Sequence, residues 1–165
     1  MAIRAATYLR KWRALKAIRA FCLSCQGESP EAVAGCYSSV HCPLMIYRQG
    51  RKPRDRQAQG QRELDKIAEL KGKQEFFIKP ERYLKKWSPL TAIKAQCAMC
   101  IGDRESKAEN CRPQELCPVY LYRQGRKSKD WKAEARAELD RIKAGEGKPP
   151  ELAETKKPQL VKTGV

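Results

Sequence analysis

Eight cysteines and one histidine in a chain of 165 residues set the chemistry to consider first. Cys22, Cys25, Cys36 and Cys42 follow the spacing C-x2-C-x10-C-x5-C, and Cys97, Cys100, Cys111 and Cys117 repeat it without change. A C-x2-C pair presents two thiolates from one turn. If the loop between the pairs folds back, four sulfurs can surround a zinc ion at about 2.3 Å. Two zinc ions per chain are therefore expected, with these eight cysteines as ligands. Four protein thiolates fill the tetrahedron and leave no position for an activated water, so the expected sites are structural rather than catalytic. An iron–sulfur cluster uses the same donor set, and spacing does not separate the two. Disulfides fit less well, because the opening Met-Ala-Ile-Arg is no secretory signal and adjacent pairs suit a metal in a reducing cytosol. A thioredoxin-like role lacks its βαβ context and would leave Cys36 and Cys42 unexplained. His41 has Leu116 as its counterpart and reads as a loop residue, not a ligand.

The matched spacing belongs to a tandem duplication. Residues 8–70 align with 83–145 without a gap at an offset of 75, with 26 identities in 63 positions. Charge divides evenly as well: 15 basic against 7 acidic residues in 1–75 and 20 against 12 in 76–165, or +8 for each part of a chain at +16. Two zinc ions bound to eight thiolates subtract 4 from that total and leave +12. We expect a zinc-binding repeat over 1–70, a linker over 71–82, a second repeat over 83–145 and a flexible, Pro- and Lys-rich tail over 146–165. About sixty residues per repeat is a size at which apolar burial alone is marginal. A structural zinc contributes on the order of 10 kcal/mol of apparent binding energy there.

The elements that must position the cysteines are mainly α-helical, with little or no β-structure: helix, zinc-binding loop, helix in each copy. Ser88 and Pro89 supply an N-cap and a first-turn proline, after which Leu90, Ile93 and Cys97 recur at helical spacing. Gly102 is available as a left-handed stop. The short apolar runs Leu44–Tyr47 and Val119–Tyr122 are readable either as brief strands or as helical turns. A closing helix is expected over about 55–70 and again over 130–143. The linker's Phe76-Phe77-Ile78 is expected to pack on one repeat.

Positive charge is concentrated in two elements per copy. Residues 1–27 carry six basic side chains and no acid. Alone they read as a targeting presequence, but the same pattern recurs at Tyr83–Cys97, which favours a folded basic helix. Trp12 and Trp87 then read as packing residues. The second element, Arg48-Gln49-Gly50-Arg51-Lys52, is copied unchanged as Arg123-Gln124-Gly125-Arg126-Lys127. Arg and Lys neutralise phosphate, Gln can hydrogen-bond a base edge or backbone, and Gly admits close approach. A helix C-cap with solvated charges would explain the glycines alone. Arg48, Gln49, Arg51, Lys52, Arg123, Gln124, Arg126 and Lys127, with Lys11 and Lys86, are therefore the candidate nucleic-acid contacts. The retained acids Asp55/Asp130, Glu63/Glu138 and Asp65/Asp140 read as salt-bridging helix residues.

The segments Ala17-Ile-Arg-Ala-Phe-Cys22-Leu-Ser-Cys25-Gln-Gly27 and Cys42-Pro-Leu-Met-Ile-Tyr47-Arg48-Gln-Gly50, and their second copies, resemble small zinc-finger-like proteins of tailed bacteriophages and prophages. In that family a helix enters C-x2-C-x-G and a C-P-L-x-P-Y-R-x-G segment follows. Ile46 and Leu121 stand where the family has its second proline. The resemblance implies a phage origin, a zinc site and location in the bacterial host cytoplasm.

The expected function is non-enzymatic binding of nucleic acid, DNA rather than RNA, through two basic zinc modules. The alternative is a phage virion or assembly component, or an adaptor for phage or host proteins. No small-molecule substrate and no membrane partner is expected: no stretch approaches the roughly 20 apolar residues a spanning helix needs. An unpaired histidine and no carboxylate set beside the cysteines argue against an enzyme.

Overall fold

The computed structural model describes residues 3–10, 12–36, 41–71, 78–102 and 108–145. Lys11, residues 72–77 of the expected linker with Phe76 and Phe77, and the expected tail 146–165 lie outside these. Seven helices occur among the described residues: α1 (Ala5–Tyr8), α2 (Ala14–Cys25), α3 (Pro30–Ala34), α4 (Arg56–Lys71), α5 (Pro80–Lys86), α6 (Pro89–Ile101) and α7 (Trp131–Lys143). No strand is found among them, as the mainly α reading expects. The two ambiguous apolar runs are 3₁₀ turns, Met45–Tyr47 and Tyr120–Tyr122.

The basic helix expected at the start of each copy is broken in two. Arg13 and Trp87 adopt extended backbone angles, ψ 142° and 122°, between α1 and α2 and between α5 and α6. In the second copy Pro89 disfavours a helical Ser88, so the break is written locally. Ser88 then caps α6, its Oγ accepting from the Thr91 amide at 3.1 Å. At the far end of α6, Gly102 takes the left-handed conformation at φ 70° and ends the helix.

The break frees α1 and α5 to pack away from the helices that follow them, and each packs on the opposite copy. Tyr83 and Trp87 are buried against the first repeat: the Tyr83 ring meets His41 edge-on at 4.3 Å, and Trp87 Nε1 donates to the Pro43 carbonyl at 2.8 Å. Reciprocally, the Tyr8 hydroxyl donates to Glu138 in α7. The Tyr47 hydroxyl donates to the Trp87 carbonyl at 2.7 Å, and the equivalent Tyr122 hydroxyl donates to the Trp12 carbonyl. Between these exchanged segments α2 and α6 pack against each other. Tyr8, Ile18, Leu44, Tyr47, Tyr83, Trp87, Ile93, Leu121 and Leu139 thus belong to one continuous apolar cluster drawn from both copies. Ile78, from the expected linker segment, joins it.

Candidate metal centres and basic face

The four cysteines of the first repeat come from separate elements that converge. Cys22 and Cys25 end α2, Cys36 follows α3, and Cys42 leads into the 3₁₀ turn. All four line one small cavity of about 40 Å³, closed by Phe21, Gln26, Val33, Leu44, Met45 and Arg48. Burial pushes the Cys22 thiol up to about 12, and the neighbouring Cys42, Cys25 and Cys36 push it further in the same direction. Cys42 is raised to about 11, again chiefly by burial. In the second repeat burial raises Cys97, reinforced by Cys117, Cys111 and Cys100, and lifts Cys117 to about 12. Mutual influence among each set of four places them in one neighbourhood.

The convergence stops short of a ligand cage. Among the described residues no group of three or more His, Cys, Asp or Glu side chains is arranged to hold a metal ion. All eight thiols are free, with none in a disulfide. The donor set suits a soft or borderline cation. Thiols held this far up would have to release protons on binding one, so affinity would rise with pH. Gln26 Nε2 lies 3.4 Å from Cys36 Sγ, and the Cys42 thiol lies 3.9 Å from Oε1 of Gln96 in α6.

His41 lies in a loop, as expected, but is buried there. It is 2% exposed beneath the Tyr83 ring, and burial lowers its pKa to about 4.

The copied basic block divides into inward and outward members. Arg48 turns inward: Nη1 donates to the Met45 carbonyl at 2.9 Å and pairs with Glu63 at 3.2 Å, and Nη2 reaches the Ala34 carbonyl at 3.4 Å. Arg123 donates to the Tyr120 carbonyl at 3.1 Å, lies 4.0 Å from the Tyr120 ring centroid and pairs with Glu134 at 3.5 Å. Gln49 accepts from Arg19 at 3.3 Å, and Gln124 accepts from Arg126 at 3.2 Å. Gly50 and Gly125 have φ of 71° and 73° and turn each block against α2 or α6, where a Cβ would meet Arg19 Cβ at 2.9 Å or Lys94 Cβ at 3.2 Å. After that turn Arg51, Lys52, Arg126 and Lys127 stand exposed, as does Lys86. Arg123, Gln124, Arg126, Lys127, Ser128 and Lys129 line an open cavity of about 370 Å³, with Asp130 and Glu134 on its wall.

Sequence reasoning missed Arg56, whose Nη1 donates to the Trp87 carbonyl at 2.6 Å and whose Nη2 donates to the Lys85 carbonyl. Its counterpart is Trp131, 5.3 Å from Lys127 Nζ, so no shared residue type marked the position. Also missed was the depth of the retained acids Glu63 and Glu138, which are 5% and 2% exposed. Burial raises Glu138 to about 7, with the Tyr8 hydrogen bond and Arg141 opposing the shift.

No helix among the described residues is long and apolar enough to cross a membrane. Compared with protein-family models, curated proteins and solved structures, the chain matches none.

Proposed function

We propose that the chain is a non-enzymatic, phage-encoded nucleic-acid-binding protein, acting in the host cytoplasm, whose two copies are each stapled by one zinc ion. Cys22, Cys25, Cys36 and Cys42 would hold one ion, and Cys97, Cys100, Cys111 and Cys117 the other. Zinc would supply cross-linking and no reaction. The first set lines one small cavity, and loading would draw each set together and release protons.

The observation that carries the nucleic-acid reading is the split within the basic block. Arg48 and Arg123 spend their guanidinium groups on carbonyls and carboxylates of the fold. Arg51, Lys52, Arg126 and Lys127 stand exposed in both copies, the arrangement phosphate neutralisation needs. Binding through them releases counterions and falls steeply with salt.

Two measurements test this. Metal analysis of the purified chain should give two zinc ions, and one or none removes the paired-site claim. Affinity for a duplex, followed by fluorescence anisotropy across a salt series, should drop linearly on logarithmic axes. A flat response removes the phosphate-binding claim.

A further inference from the structure

We infer that the two basic blocks form one dyad-symmetric face that grips both strands of a single nucleic-acid duplex, rather than two heads spaced along it. This rests on the nucleic-acid reading above and adds the geometry of the target. The first observation is the reciprocity of the exchange. Tyr47 bonds Trp87, and Tyr122 bonds Trp12, so position 47 of each copy meets position 12 of the other. Tyr8 of α1 likewise meets Glu138 in α7, while α5 packs on α4, the counterpart of α7. A head-to-tail tandem array would make each such contact in one direction only. Contacts made in both directions are isologous and require a two-fold relation between the copies.

The second observation is how near the blocks come to each other. Both flank the first turns of α6. Gly125 of the second block packs on Lys94 and Leu90, where a Cβ would lie 3.2 Å from Lys94 Cβ and 3.6 Å from the Leu90 carbonyl. Lys52 and Pro53, at the end of the first block, share a cavity of about 190 Å³ with Ser88 and Pro89. The stretch 88–94 rises only about 10 Å along the helix axis. The exposed Arg51, Lys52, Arg126 and Lys127 therefore all belong to segments that reach the first turns of α6. Arg13, the N-cap of α2, and Lys16 in its first turn are exposed as well, and α2 packs on α6. Asp130 and Glu134 lie beside the second block, and Glu134 is engaged by Arg123.

A duplex carries two-fold axes perpendicular to its length that exchange its antiparallel strands. A single strand has none. Two cationic blocks related by a two-fold can meet equivalent phosphates on opposite strands across one such axis, the match long recognised between dyad proteins and duplex sites. Phosphate contacts carry no base information, so the grip reads duplex form rather than sequence.

The test uses the full-length chain and duplexes of about 12 and about 30 base pairs, one longer than a helical turn and one spanning several turns. Arg51→Ala/Lys52→Ala and Arg126→Ala/Lys127→Ala should each lower the salt slope by about 2, and do so equally on both lengths. Unchanged thermal melting of the variants confirms that only the face was altered. The duplex should also outcompete a single strand of the same sequence. If one block matters on the short duplex while both matter on the long one, the copies act as separate heads and the dyad is overturned. Equal binding of the single strand also overturns it. An RNA duplex giving the same two-block pattern in place of DNA supports the grip and reassigns the duplex. Failure to bind any nucleic acid defeats the parent reading instead.

Discussion

In the first repeat the guanidinium of Arg48 meets the buried carboxylate of Glu63 at 3.2 Å; in the second the matching arginine reaches Glu134 instead, and the matching acid takes a hydrogen bond from Tyr8. Two local differences account for the rerouting. Tyr120 replaces Met45 and offers Arg123 a ring to lie over, and Glu134 replaces Gln59 and offers it a nearer charge. Glu138 takes the Tyr8 hydrogen bond, and its Oε1 has no hydrogen-bond partner among the described residues. Duplication preserved the positions that carry interior charge while their pairing drifted. A buried carboxylate needs some donor, and either an arginine or a tyrosine can supply it.

The largest effect that would separate the repeats comes from the thiols. Cys97→Ser/Cys117→Ser should cost more than Cys22→Ser/Cys42→Ser, because Cys97 is buried and Cys22 only half-buried. Each pair should remove one zinc ion, worth on the order of 10 kcal/mol of apparent binding. Metal analysis beside urea unfolding reads both quantities, and equal losses would erase the distinction. Next come the tryptophans. Trp87→Ala should cost about 3–5 kcal/mol, the range for emptying a large core site. Trp12→Ala should cost less, since Trp12 is half-buried and its indole N–H has no partner among the described residues, whereas that of Trp87 is bonded.

A smaller contrast is expected for the exchanged tyrosines. Tyr8→Phe strips the donor from buried Glu138 and should cost about 1–3 kcal/mol by denaturant melting. The Tyr83 hydroxyl is close to the Ile46 backbone but makes no hydrogen bond of good geometry, so Tyr83→Phe should cost well under that. Smallest is Gly60→Ala, which places the first copy's residue on a par with Ala135. Its gain in helix propensity is about 1 kcal/mol. The new Cβ would lie 2.7 Å from Leu84 Cδ2, a terminal methyl able to swing aside. Calorimetric melting should therefore show a shift within about 1 kcal/mol of zero, while Ala135→Gly, which loses a fully buried methyl, should destabilise.

The helix ends were legible because their signals are local: Ser88 before Pro89 starts α6, and Gly102 stops it. The closing helices fell within a residue or two of their expected bounds. The exchange of α1 and α5 was not legible, for a reason specific to duplicated sequences. Tyr8 is offered the same Glu-Leu-Asp run at Glu63–Asp65 and at Glu138–Asp140, so that motif alone does not choose its docking site. The extended backbone at Arg13 turns α1 away from α2, a break no residue-type signal in the first copy marks. The basic block misled differently. Its identity between copies suggested a single role, yet Arg48 and Arg123 support the turn while the two residues after each glycine face solvent. A pattern of residue types does not show on which side of a left-handed glycine each side chain falls.

The reciprocal exchange also sets a schedule for synthesis. Tyr8 is made 130 positions ahead of the Glu138 it bonds. At translation rates of about 5–20 residues per second, the first aromatic anchor waits several seconds to tens of seconds for its socket. During that interval Tyr8 and Trp12 remain without their final partners on the growing chain, and contacts of such long range slow folding. Completion of the core thus waits until Glu138 has been made and has cleared the ribosome.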